Sequence, residues 1–112
     1  MDPWYGLGSG DMLEVAHMGL HVAQMTSQAG MRQCFEAVTT NAAKVMGLAG
    51  YGIEAGRDAS FVLLQARDPI EAIRLRATRL KVWRQGQLLS DMAPAAAHLN
   101  LAGRPGSTTF AR

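Results

Sequence analysis

The chain has 112 residues, nearly half of them hydrophobic, which is enough for one small domain and excludes a disordered tail. A net charge of only +2 argues against a dedicated nucleic-acid binder, whose surface is strongly basic. A single cysteine, Cys34, excludes an internal disulfide, and neither a signal peptide nor a membrane-spanning apolar run is legible, so the expectation is a cytoplasmic protein with no nucleic-acid or membrane partner.

Residues 1–10 read as a loop, with Asp2-Pro3 setting an extended start and Gly6, Gly8 and Gly10 following. Asp11 and Glu14 form a D-x-x-E pattern close to a capping box, and a helix is predicted over residues 12–25. Its apolar residues fall on nearly every face. Such a helix expects burial on all sides, which a chain this short can hardly supply. Residues 27–30 read as a turn. A second helix is predicted over 31–46, with Cys34, Phe35, Val38, Ala42, Val45 and Met46 on its apolar face and Gly47 ending it. Residues 48–58 form a glycine-punctuated linker. A strand over 59–65 follows, then a short helix over 68–75 with Asp68 as cap and Pro69 in its first turn. The alternation of residues 79–84 predicts a strand, Gln85-Gly86 a hairpin turn, and 87–90 the returning strand. Residues 97–101 are read as a last strand and 103–112 as a flexible tail.

Few residues offer chemistry by themselves. His17 and His21 lie four apart on one helical face, a spacing that can present two imidazoles to one metal. No H-E-x-x-H pattern accompanies them, and two histidines packed in a helix with backbone partners is the simpler reading. Cys34 sits on an apolar face, where free cysteine behaves as a small hydrophobe. Arg67, Arg74, Arg76, Arg79, Lys81 and Arg84 make residues 67–84 locally basic, but Asp68 and Glu71 are interspersed, which suits a solvated face. Trp4 and Tyr5, in a glycine-rich loop before a helix, can wall a pocket for a planar ligand or plug the core beneath; composition leaves both readings open.

Two stretches carry a resemblance. TTNAAKVMGLAGYGIEAGRDASFVLL resembles the closing signature of the amidohydrolase superfamily, through Thr40, Asn41, Ala42, Ala43, Met46, Gly47, Leu48, Gly52, Ile53, Gly56, Asp58 and Ala59. DPWYGLGSGDMLEVAHMGLHVAQM is similar to the segment after the last barrel strand of the bacterial cytosine deaminases in that superfamily. The resemblance covers residues 1 to about 92.

It implies an α+β fragment: the last helices of a (β/α)8 metal-dependent hydrolase barrel over residues 1–50, the C-terminal part of its small β-sandwich over 51–102, and a tail over 103–112. It implies a parent enzyme that hydrolytically deaminates cytosine, or a related aminated ring such as a triazine or isoguanine, with a divalent metal, Fe or Zn. The parent would take a small pyrimidine-like substrate and form a homo-oligomer. Trp4 is the one residue the resemblance carries to a site, at the pyrimidine pocket. The metal ligands would lie upstream of Asp2, so Met1 is expected to be an internal methionine and the chain by itself to be inactive, poorly soluble and without metal. The alternative expectation is a stand-alone, non-catalytic interaction module whose apolar surfaces a partner covers.

Overall fold

The computed structural model describes residues 6–106. Four helices and three strands run in the order α1 (Met12–Val22), α2 (Gln28–Ala37), α3 (Thr40–Val45), β1 (Phe61–Leu64), α4 (Pro69–Leu75), β2 (Arg79–Arg84) and β3 (Gln87–Asp91). Among the described residues no helix is long and apolar enough to cross a membrane.

The first helix starts where its cap predicts. The Asp11 carboxylate accepts from the backbone N–H of Leu13 at 2.7 Å and of Glu14 at 3.4 Å. The capping box is only half made. Glu14 turns instead to Ser9, accepting from its hydroxyl at 2.7 Å and its backbone N–H at 3.3 Å. α1 stops at Val22 rather than at residue 25, because Gln24 adopts a left-handed φ of 53°. The early stop folds Met25 back, with its N–H on the Leu20 carbonyl at 2.9 Å and its side chain against the core.

Two further expectations need correction. Residues 28–30 are not a turn but the first turn of α2, with the Ser27 hydroxyl accepting from Gly30 N–H at 3.1 Å. Glycine is required at position 30 by a close approach: a Cβ there would stand 2.6 Å from the Met25 carbonyl oxygen. The single helix over 31–46 is broken into α2 and α3 at Val38-Thr39. Consecutive β-branched residues are poor helix formers, and the Thr39 hydroxyl donates to the Phe35 carbonyl at 2.8 Å, taking over an acceptor of the helix. The predicted stop at Gly47 is present. Its φ of 67° lets Leu48 N–H reach the Ala43 carbonyl at 2.9 Å while Gly47 N–H bonds Lys44 at 3.1 Å, a Schellman end.

Helix α4 and the hairpin follow their sequence signals closely. Asp68 accepts from Glu71 N–H at 2.8 Å, Pro69 opens the helix, and Arg76 closes it in the left-handed region. The three strands make one antiparallel sheet in the order β1-β2-β3, and the left-handed φ values of Gln85 and Gly86 suit a tight hairpin turn. Residues 97–101 form no strand; the chain there is irregular. Its approach is fixed by the Gln65 amide, which donates to the Ala95 carbonyl and accepts from Ala95 N–H, both at 2.8 Å.

The core is small and helical. Leu13, Ala16 and Leu20 of α1 meet Cys34 of α2 and Ile73 of α4, with Met25, Met31, Phe35, Val38 and Leu64 packed around them. Ile73 is fully buried. The opposite face of α1 is not covered: Met12, Val15, Met18 and Val22 are all more than half exposed. The helix that reads as apolar all round is buried on one side only.

Candidate functional site

The groups with the most chemistry gather around α1. At its start, the Arg79 guanidinium from β2 forms a two-pronged ion pair with the Asp11 carboxylate, joining the helix cap to the sheet. This hydrogen bond holds the Asp11 carboxyl below its usual range and raises Arg79 above its own. Hydrogen bonds from Ser9 lower Glu14 in the same way. Asp11 already accepts from two backbone amides and an arginine, so it is engaged as a cap and not poised as a base.

One turn further on, His17 Nδ1 lies 2.9 Å from the carbonyl oxygen of Ile73 in α4. A carbonyl can only accept, so Nδ1 carries the proton. His21 Nε2 lies 3.3 Å from His17 Nε2, and the two rings meet edge to face at 4.8 Å. His17 thus has the backbone partner expected of a packing histidine. Among the described residues His21 has no such partner and meets His17 instead.

Cys34 is buried, with its thiol 3.8 Å from the Met25 sulfur, an apolar setting with no neighbouring base among the described residues. Among the described residues, three of the six cations in the basic stretch are in ion pairs: Arg67 with Glu71 at 2.6 Å, Lys81 with Asp91 at 2.6 Å, and Arg79 with Asp11. Trp4 and Tyr5 lie outside the described residues.

A cleft that sequence reasoning missed opens between α3 and the loop after it, with a volume of about 540 Å³. Thr40, Lys44, Tyr51, Glu54 and Arg57 line it. What reads as a linker over 48–58 is a closed loop: Asp58 N–H bonds the Gly50 carbonyl at 3.0 Å, and Arg57 donates to the Ala49 carbonyl at 2.6 Å. Its density of glycine and paired charges was the available signal. The cleft offers the cations of Lys44 and Arg57, the Glu54 carboxylate, the Tyr51 phenol and the Thr40 hydroxyl.

The match to known proteins is decisive at this point. The amidohydrolase family pattern matches residues 1–90. The chain belongs to the amidohydrolase family. It is 30% identical over 89 residues to the N-isopropylammelide isopropyl amidohydrolase of Pseudomonas sp. (strain ADP), covering 79% of this chain and 22% of that protein. The solved structure of 5-methylcytosine deaminase from Klebsiella pneumoniae, liganded with phosphonocytosine, superposes with a TM-score of 0.78 at 32% identity, over 88% of this chain and 24% of that one. N-isopropylammelide isopropylaminohydrolase from Burkholderia multivorans gives a TM-score of 0.72 at 32% identity, over 79% of this chain and 23% of that one. The amidohydrolase chain therefore spans about a quarter of the length of these relatives.

The family is generally metal-dependent, and the residues described do not fit a catalytic metal. Among them, no three His, Cys, Asp or Glu side chains come together. A metal that activates water for hydrolysis is held by at least three protein ligands.

Proposed function

We propose that this chain is the C-terminal part of a hydrolase that removes an exocyclic amine from a nitrogen heterocycle, with cytosine to uracil and ammonia as the leading case. In that reaction water adds to the amine-bearing ring carbon, the carbon–nitrogen bond breaks, and ammonia leaves with the proton while the ring gains a carbonyl. The observation that carries the reading is the likeness, at 32% identity and a TM-score of 0.78, to a deaminase holding a cytosine analogue. The isopropylammelide hydrolases at nearly the same identity favour another aminated ring, such as a triazine, as the second substrate class.

Within this reading the chain's contribution is positional. Trp4 is assigned the role of a wall for the flat ring, and the start of α1 that follows it in sequence is pinned by Asp11 and Arg79. The uncovered face of α1 packs against the remaining barrel, and the sheet extends the sandwich of the same enzyme. The parent is a cytoplasmic homo-oligomer in this proposal.

The test grafts this chain onto the first three quarters of the Klebsiella deaminase in place of the corresponding segment. Ammonia release from cytosine and 5-methylcytosine is followed with Zn²⁺ or Fe²⁺ present. The chimera should turn over, and Trp4→Ala should raise KM more than it lowers kcat. The chain alone should release no ammonia. A folded chimera indifferent to Trp4→Ala overturns the role of Trp4, and metal-dependent turnover by the chain alone overturns the reading of it as a part.

A further inference from the structure

The His17–His21 pair has a geometry that packing by itself does not require. The bond from His17 Nδ1–H to the Ile73 carbonyl fixes the neutral ring in one tautomer, with its lone pair on Nε2. His21 Nε2 faces that lone pair at 3.3 Å. Two imidazole nitrogens on one tetrahedral ion, each at about 2.0–2.1 Å, stand roughly 3.3–3.4 Å apart. The carbonyl behind His17 is the kind of outer partner that orients a metal-bound imidazole. The helix itself keeps the two side chains on one face, and His21 is exposed, so solvent can fill the remaining positions.

We propose that His17 and His21 form a two-ligand site for a divalent ion of borderline softness, with Zn²⁺ as its representative, clipping one turn of α1. In the metal-free chain the His17 lone pair accepts the His21 Nε2 proton. On binding, that proton moves to His21 Nδ1 and both Nε2 lone pairs go to the ion, so the charge and proton count of the two neutral rings are unchanged. Among the described residues no third protein ligand joins them, so the site binds more weakly than a four-ligand structural zinc and should prefer Ni²⁺ and Cu²⁺ over Co²⁺.

The test titrates the chain with zinc chloride by calorimetry while the histidine ring signals are followed by NMR. The expected result is one zinc per chain, with shifts at His17 and His21 and not at His98. His21→Gln should abolish the uptake, and His98→Gln should leave it unchanged. Since among the described residues the His21 side chain bonds only His17, its replacement should leave the circular dichroism unaltered. Independently of any variant, zinc should slow amide exchange in the turn between His17 and His21. Uptake by His21→Gln equal to that of the unaltered chain, shifts confined to His98 or Cys34, or exchange in that turn unmoved by saturating zinc would each overturn the site.

Discussion

The helical cluster and the sheet of this chain bury themselves very differently. α1, α2 and α4 share a core in which Leu13, Ala16, Leu20, Cys34 and Ile73 are out of water. In β1, β2 and β3 no residue is buried; β3 is exposed throughout, and Phe61, Val62 and Leu63 of β1 are each more than 40% exposed. The strands are joined by their backbone ladder and by cross-strand pairs, such as Phe61 on Trp83 with ring centroids 4.8 Å apart. An antiparallel sheet normally packs at least one face on a core. The cluster is therefore organised by hydrophobic burial, and the sheet by hydrogen bonding. The Asp11–Arg79 ion pair and the packing of Leu64 help tie the two together.

The sharpest way to break this contrast is Ile73→Ala. Ile73 is the residue on which α1, α2 and α4 converge, and truncating it should cost about 2–5 kcal/mol. Amide exchange should show α1, α2 and α4 losing protection together, with the β2–β3 ladder less affected. Uniform loss across both regions would mean that they form one cooperative unit.

A smaller effect is expected at the tie between them. Asp11→Ala removes two cap bonds and the partner of Arg79, with the cap itself contributing about 0.5–2 kcal/mol. The pH dependence follows from the lowered Asp11 carboxyl. The folded value lies below the usual 3.8, so the stabilisation is complete above 3.8 and is lost as pH falls through the folded value. Acid unfolding followed by circular dichroism should be shallower below pH 4 in Asp11→Ala than in the unaltered chain.

Trp83→Ala tests the sheet alone. Loss of the ring pair should cost about 0.5–1.5 kcal/mol and leave the core amides of α1 unchanged in exchange rate. The smallest effect on the isolated chain belongs to Met18→Glu, on the open face of α1, which should shift stability by no more than about 0.5 kcal/mol. The same substitution should prevent the Klebsiella chimera from assembling, as read by its soluble yield and ammonia release. A chimera tolerant of Glu at position 18 would show that this face stays open in the larger enzyme.

Local chemistry made several elements legible. Asp68-Pro69 and the alternation of Arg79–Arg84 each specify an element within a few residues, and the structure keeps them. The end of α1, the start of α2 and the break between α2 and α3 were misread for a common reason. Gln24 takes a left-handed φ so that Met25 can reach the core, Gly30 lies inside a helix because Met25 leaves no room for a Cβ, and the Thr39 hydroxyl captures a helix carbonyl. Each depends on a neighbour that propensity does not see. The candidate site was less legible, since Trp4 lies outside the described residues. Family motifs point to Trp4, whereas the cleft beside α3 exists only because the loop over 48–58 closes on itself.

By itself the sequence determined the family, the caps, the hairpin and an α1 too apolar for a chain of this length, because those are properties of local order and composition. Only the tertiary structure decided which stripe of α1 is buried, that Arg79 reaches Asp11 across 68 positions, and that the Ile73 carbonyl sets the tautomer of His17. Those outcomes rest on contacts between segments far apart in the chain, where the gain comes from satisfying a buried surface or a polar group that neither segment could satisfy alone.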